Sequence, residues 1–293
     1  MAIRSIGIIT KPRKQDLEPI LPALFEWLRQ RGIQALVDEE SASAFNRSGS
    51  AALEVPVMPR SELPAKCDLL LVMGGDGTLL AAARNAREHN VPILAVNLGS
   101  LGFLTAVTVG ELYDSLQMIL DGKHQVEYRK MLQIRMMRSG SLMAVYHALN
   151  DAVLNKGAIS RMLDFEAYVD GRLVTLLKAD GVIISTPTGS TAYSLAAGGP
   201  IVYPSVDAFI VTPICPHTLT NRPLVVSDRS RIEIVLKTEA ESVFLTVDGQ
   251  VGLDVHHEDR IACDLSPSRI GLVRPPHKEF FEVLRSKLKW GER

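Results

Sequence analysis

Gly74-Gly75-Asp76-Gly77-Thr78 concentrates residue types that can do chemistry. Glycine tolerates positive φ and permits close backbone approach, so Gly74, Gly75 and Gly77 can turn N–H groups towards a ligand. Thr78 falls near the predicted start of a helix, where orphan amides and the helix dipole favour negative charge. This is the chemistry of a phosphate seat. Asp76 breaks the pattern, because a carboxylate repels phosphate. It needs its own task, such as holding a hydroxyl or a cation beside the phosphate, unless it is a plain N-cap of the helix.

A second concentration runs from Asp180 to Pro200, in which Ser185, Thr186, Thr188, Ser190, Thr191 and Ser194 alternate with glycines and one aromatic, Tyr193. Such a loop offers hydroxyl and amide donors and a ring on which a base can stack, which suits a nucleotide better than a lipid. A hydroxyl-rich surface turn is the simpler alternative. In Asn150-Asp151 the amide can read a purine edge and the carboxylate can accept bonds from ribose hydroxyls. His256-His257 lies beside Glu258 and Asp259, with no cysteine or helical spacing, and reads as a solvated loop rather than a zinc site.

These groups need a frame. The apolar run Leu69–Met73 reads as a buried strand and Leu79–Arg84 as a helix, so the glycines form the turn between them. Upstream, Ile3–Thr10 is strand-like. Leu17, Ile20, Leu21, Leu24, Phe25 and Leu28 recur at helical spacing over Asp16–Arg31, with Gly32 as the stop, and Ala35-Leu36-Val37 is a short strand. Glu39–Pro64 has no period and reads as a long loop. Pro92–Val96 is another strand and runs into Asn97–Thr105, a second glycine-rich turn. Alternating strands and helices imply a parallel sheet with ligands beyond its carboxyl ends, so the two turns can face one crevice.

The pattern changes near Gly122. Strand-like runs follow at Leu132–Met137, Leu142–Leu154, Phe165–Val169, Gly181–Ser185, Phe209–Thr212, Ile232–Leu236, Val243–Val247 and Ile270–Val273, with few helical stretches between them. The expected fold is a Rossmann-like α/β N-terminal domain over 1–125 and a β-rich, sandwich-like C-terminal domain over 126–274. An amphipathic tail, Glu279–Lys289, can cap either domain.

Composition narrows the function classes. The chain has 293 residues, 46% hydrophobic and 22% charged, with 32 Lys and Arg against 33 Asp and Glu for a formal charge of −1. That balance argues against sequence-blind binding to nucleic acid or to an anionic membrane. Cys67, Cys215 and Cys263 show no Cys-x-x-Cys spacing and are expected to be small buried hydrophobes in a reduced compartment. The N-terminus lacks a signal-peptide pattern and no apolar run approaches the ~20 residues of a membrane helix, so a soluble cytoplasmic protein is expected. Neither Gly-x-Gly-x-x-Gly after a strand nor a Walker-type loop occurs, which disfavours a standard dehydrogenase or NTPase.

With Gly74–Thr78, Asn97–Thr105 and Asp180–Pro200 in order, the sequence resembles the NAD kinase family, and closely its bacterial members. The likeness covers most of the chain. Diacylglycerol kinases, sphingosine kinases and 6-phosphofructokinases carry similar glycine turns, so the Thr188–Pro200 block makes the difference. The resemblance implies transfer of the ATP γ-phosphoryl group, with a divalent cation such as Mg2+, to the 2′-hydroxyl of the adenosine ribose of NAD. It implies Asp76 as the catalytic carboxylate, with Gly75 and Gly77 at the dinucleotide phosphates. Asn150 and Asp151 would hold adenine and ribose, Thr191, Ala192 and Tyr193 would line the adenine pocket, and Ser194 and Ala196 would be further cofactor-binding positions. Phe103, Asp180 and Gln250 match further NAD-contacting positions, and Arg161 and Lys178 match basic positions near the site. It further implies a homodimer or homotetramer and a tail, 275–293, that returns to the first domain. Many members have Asn-Glu where this chain has Asn150-Asp151, which sets the carboxylate back by one methylene. The competing readings are a lipid or sugar kinase of the same superfamily and a non-catalytic NAD-binding regulator.

Overall fold

In the computed structural model, residues 3–11, 17, 19–46, 55–99, 102–105, 107–157, 161–239, 242–274 and 279–291 are described. The chain forms two compact units, Met1–Tyr128 with Ile270–Arg293, and Arg129–Arg269.

The first unit contains β1 (Ser5–Thr10), α1 (Ile20–Gln30), β2 (Gln34–Asp38), α2 (Glu39–Asn46), β3 (Val57–Met58), β4 (Leu69–Met73), α3 (Asp76–Ala86), β5 (Ile93–Asn97), β6 (Val107–Thr108) and α4 (Leu112–Leu120). β5, β4, β1, β2 and β3 lie side by side in that order, all parallel, and β6 adds to β5. Their side chains alternate between two faces. Ile6, Ile8, Leu69, Leu71, Leu94 and Val96 pack with Leu21, Leu24 and Leu28 of α1 and Leu112, Leu116 and Ile119 of α4. Leu70, Val72, Ile93 and Ala95, of opposite parity, are buried as well. Burial on both faces explains why these strands read as unbroken apolar runs. Gly32 (φ 67) and Gly122 (φ 71) end α1 and α4 in the left-handed conformation, which glycine adopts without a Cβ penalty.

The second unit follows β7 (Gln125–Arg138), which begins in the first. It contains β8 (Ser141–Ala148), β9 (Asp151–Lys156), β10 (Leu163–Val169), β11 (Arg172–Ala179), β12 (Gly181–Ser185), α5 (Tyr193–Ala196), β13 (Ala208–Ile214), β14 (Leu224–Ser227), β15 (Ile232–Leu236), β16 (Val243–Val247) and β17 (Val251–Asp254). β18 (Arg260–Arg274) then leads back to the first unit, where Leu272 pairs with Ile93 of β5 and α6 (Phe280–Leu288) buries Phe280, Val283 and Leu284. One antiparallel sheet has the order β14-β13-β12-β9-β16-β17. A second set of strands, β11-β10-β15-β18 with β7 and β8, supplies the other layer of the core. Leu154, Ile184, Phe209 and Leu245 of the first layer meet Ile134, Phe165, Ile234 and Ile261 of the second. The hairpins turn on Ser139-Gly140, Asp170-Gly171 and Asp248-Gly249, each with positive φ at both residues, the geometry that suits the twist of paired strands.

Three expectations change. Within Glu39–Pro64, α2, β3 and a 3₁₀ turn at Leu63–Ala65 replace an unstructured loop, while 47–54 lies outside the described residues. The run Leu142–Leu154 is broken at Leu149-Asn150, where the chain turns between β8 and β9. Cys215 is exposed, at φ 46, rather than buried. Asp16, the expected start of α1, lies outside the described residues. Among the described residues no helix is long and apolar enough to cross a membrane.

Candidate functional site

The first unit presents Asp76 at the start of α3, with Gly75 as the N-cap. The three glycines do not take positive φ as expected; Gly75 is extended at φ −97 and ψ −176. What Gly74 supplies is room, since a Cβ there would sit 2.4 Å from Thr78 Oγ1. Gly77 is exposed on the first turn of the helix.

The turn after β5 closes around the carboxylate. Phe103 N donates to Asp76 Oδ2 at 3.0 Å, while Leu104 N, Thr105 N and Thr105 Oγ1 donate to Oδ1 at 3.2, 3.1 and 2.9 Å. Asn97 Nδ2 donates to Thr105 Oγ1 at 2.8 Å, and Gly99 N donates to Asn97 Oδ1 at 2.7 Å. Gly102 is indispensable, because a Cβ would lie 2.1 Å from Asp76 Oδ1 and 2.2 Å from Thr105 Oγ1. Lys287 of α6 lies 5.9 Å from the centre of the half-buried Phe103 ring. The two glycine-rich turns therefore meet at one acid, whose oxygens are oriented by four donors.

The second unit builds a different site around Asn150 and Asp151. Asp248, between β16 and β17, accepts Leu149 N through Oδ2 at 3.0 Å, and Asn150 N and Asp151 N through Oδ1 at 2.8 and 3.2 Å. The turn after β12 braces the same residues, with Thr186 N donating to Asn150 O at 2.9 Å and Thr186 Oγ1 to Leu149 O at 2.6 Å. Gly189 packs so closely that a Cβ would meet Asn150 O at 2.2 Å. With its backbone pinned from both sides, Asn150 is 8% exposed, and its buried Oδ1 has no hydrogen-bond partner among the described residues. Asp151 is buried too, and desolvation, helped by the neighbouring Asp248 carboxylate, raises its pKa to about 7.

The hydroxyls of the Asp180–Pro200 block are mostly spent on structure, which corrects their reading as ligand donors. Ser185 and Thr186 bond to backbone carbonyls, Ser190 Oγ donates to Pro187 O at 2.6 Å, and Ser194 Oγ pairs with Thr212 Oγ1 at 2.8 Å. These four are fully buried. Thr191 and Ala192 are half-buried and Tyr193 and Ala196 exposed, so they form the outward edge of the block. Gln250 is exposed two residues beyond Asp248.

The remaining positions are more dispersed. Asp180 is paired with Lys156 at 2.8 Å, and Lys178, exposed on β11, with Asp164 at 3.2 Å. Arg161 is exposed ahead of β10. No hydrogen bond or ion pair among the described residues joins Arg161 or Lys178 to Asn150 or Asp151. His256 and His257 are exposed in a turn, and among the described residues no three His, Cys, Asp or Glu side chains converge as metal ligands. Sequence reasoning missed Asp248 and Thr105. An Asp-Gly pair directly after an apolar strand was the available signal for the first.

Residues 6–124 match the model of the ATP-NAD kinase N-terminal domain, and residues 149–274 that of the C-terminal domain. The NAD kinase of Solibacter usitatus is 50% identical over 291 residues, 99% of each chain, and that of Geotalea daltonii 48% identical over 99% of this chain and 100% of its own. Among solved structures, a yeast NADH kinase complexed with NADH superposes with a TM-score of 0.91 at 29% identity, over 100% of this chain and 89% of its own. An Archaeoglobus fulgidus NAD kinase in complex with ATP shares the fold, with a TM-score of 0.74 at 24% identity over 97% and 98% of the two chains.

Proposed function

The chain belongs to the NAD kinase family, and from that premise we propose which of its residues carry the reaction. The activity is transfer of the γ-phosphoryl group of ATP to the 2′-hydroxyl of the adenosine ribose of NAD. The bond from the sugar oxygen to the γ-phosphorus forms as the bond from that phosphorus to ADP breaks, and the hydroxyl proton passes to Asp76. A carboxylate is too weak a base to strip a sugar hydroxyl beforehand. Phosphoryl transfer nonetheless runs through a loose transition state in which the nucleophile needs little early deprotonation. Asp76 therefore orients the hydroxyl and takes its proton late.

Asn150 and Asp151 recognise adenine and ribose. The observation that carries this reading is the buried Asn150 Oδ1, without a partner among the described residues, since a buried polar atom left unpaired costs about 1–3 kcal/mol unless something satisfies it. An asparagine amide matches adenine in kind, its oxygen accepting from N6 and its nitrogen donating to N7. Thr191, Ala192, Tyr193 and Ala196 line the adenine pocket, and Ser194 anchors α5 behind them. Gly75 and Gly77 lie against phosphate, Phe103, Asp180 and Gln250 contact the dinucleotide, and Arg161 and Lys178 supply positive charge.

A divalent cation, magnesium in this reading, travels with ATP and neutralises charge on the triphosphate. Exposed Leu173, Val174 and Leu176 on β11 support a homodimer or homotetramer, to be checked by mass in solution. Three free cysteines suit the reducing cytoplasm.

Purified protein given NAD, ATP and magnesium is expected to accumulate NADP, followed with an NADP-specific dehydrogenase. Binding of NAD without NADP formation would favour a regulator, and phosphorylation of a lipid or sugar instead would favour the other kinases.

A further inference from the structure

The two oxygens of Asp76 are not equivalent. Among the described residues Oδ1 accepts from Leu104 N, Thr105 N and Thr105 Oγ1, whereas Oδ2 accepts only from Phe103 N. A carboxylate oxygen has about two lone-pair directions, so Oδ1 is saturated and Oδ2 keeps one open. A proton arriving on Oδ1 would face three donors. One arriving on Oδ2 would not.

We propose that Thr105 and Asn97 are positioning residues that lock Asp76 so that Oδ2 is the atom facing the sugar hydroxyl. This rests on the reading of Asp76 as the carboxylate that receives the 2′-hydroxyl proton. The lock has a direction. Gly99 N–H points at Asn97 Oδ1 at 2.7 Å, which fixes the amide with Nδ2 towards Thr105 Oγ1 at 2.8 Å. Thr105 has a single hydroxyl hydrogen. Because Asn97 donates to its oxygen, that hydrogen is left for Asp76 Oδ1 at 2.9 Å. Thr105 is 0% exposed and Asn97 6%, so water does not compete for these bonds. Gly102 keeps the space between them free, as the 2.1 and 2.2 Å approaches of a Cβ there attest.

The test compares Thr105→Val, Thr105→Ser, Asn97→Asp and Asp76→Asn in the coupled NADP assay, with thermal melting of each. Thr105→Val keeps the shape and loses the hydroxyl. Its kcat is expected to fall about ten- to a hundredfold, the scale of a misplaced reacting group, with KM for NAD changed by less than about threefold. Thr105→Ser is expected to return to within about threefold of the parent, because the hydroxyl is back. Asn97→Asp keeps the acceptor for Gly99 but turns an acceptor towards Thr105, drawing its hydrogen away from Asp76, so it is expected to fall with Thr105→Val. A kcat for Thr105→Val within twofold of the parent overturns the proposal, as does Thr105→Ser impaired as deeply as Thr105→Val. Should Thr105→Val fail to fold, Thr105→Ser and Asn97→Asp decide: near-parental kcat for the first and a large loss for the second support the lock, and any other pair of results overturns it. Asp76→Asn separates the levels. If it keeps near-normal turnover, the underlying reading of Asp76 fails. If it loses turnover while Thr105→Val does not, only the positioning proposal fails.

Discussion

Asp76 in the first unit and Asp151 in the second are treated in opposite ways. Asp76 receives three amide N–H groups and a hydroxyl, so its carboxylate is held in one orientation. Asp151 is 4% exposed, faces the Asp248 carboxylate, and among the described residues no hydrogen bond reaches its own carboxylate. Three amides around it do donate, but to Asp248. One acid is fixed by the protein before any ligand arrives, which is what a group that must aim a nucleophile requires. The other is left for a ligand to satisfy, which suits recognition. In the proposed reading, turnover falls to the first unit's acid and affinity to the second's.

The largest effect that can break this division is at Asp76. Asp76→Asn is expected to keep the melting temperature and the affinity for NAD in calorimetry while kcat falls about a hundred- to ten-thousandfold, the usual range for loss of a proton acceptor. Loss of affinity instead of turnover would erase the contrast. Asp248→Ala probes the other side. It removes the shared acceptor of three buried amides, each at risk of an uncompensated desolvation cost of about 1–3 kcal/mol. It should lower the melting temperature and raise KM for NAD about tenfold, equivalent to about 1.4 kcal/mol, with a smaller change in kcat.

How much of this was legible in the sequence depends on the type of interaction. The parallel sheet of the first unit was readable because its strands are buried on both faces, and Leu69–Met73 contains no polar residue to obscure the run. Gly181–Ser185, buried throughout, coincides with β12, and Ile232–Leu236 and Val243–Val247 coincide with β15 and β16. β11 escaped because its outward positions carry Leu173, Val174 and Leu176 and show no clean alternation. The Gly74–Thr78 turn announced itself, but its mechanics did not: glycine at 74 and 102 provides space for Thr78, Asp76 and Thr105 rather than left-handed backbone. Asp248 lies 97 residues from Asp151, and Thr105 lies 29 from Asp76, so only the folded chain reveals that they serve these acids.

Protonation sharpens the comparison further. Asp151 has a folded pKa of about 7 against an ordinary value of 3.8, so between those values the folded chain holds a proton that the unfolded chain has lost. Stability from this group is therefore present below about pH 4, declines as pH rises towards 7, and is flat above. Binding has the opposite sign if the ionised form accepts the ribose hydroxyls: KM for NAD should fall about three- to tenfold between pH 6 and 8. In Asp151→Asn that dependence should vanish, and a profile unchanged from the parent would remove Asp151 from recognition.

The smallest effect is the most specific. Where many relatives have Asn-Glu, Asp151 holds its carboxylate one methylene further back, so its contact with ribose would pass through a water. A bridging water costs at most about 2 kcal/mol of ordering and often much less. Asp151→Glu should therefore lower KM for NAD by only about threefold, under 1 kcal/mol, and leave kcat alone because Asp76 and its donors lie on other elements. A change in kcat larger than the change in KM would show that the acid of the second unit also takes part in aiming the sugar. The separation of turnover from affinity would then fail at its weakest point, since Asp248 sets both the backbone of Asn150 and the charge that Asp151 faces.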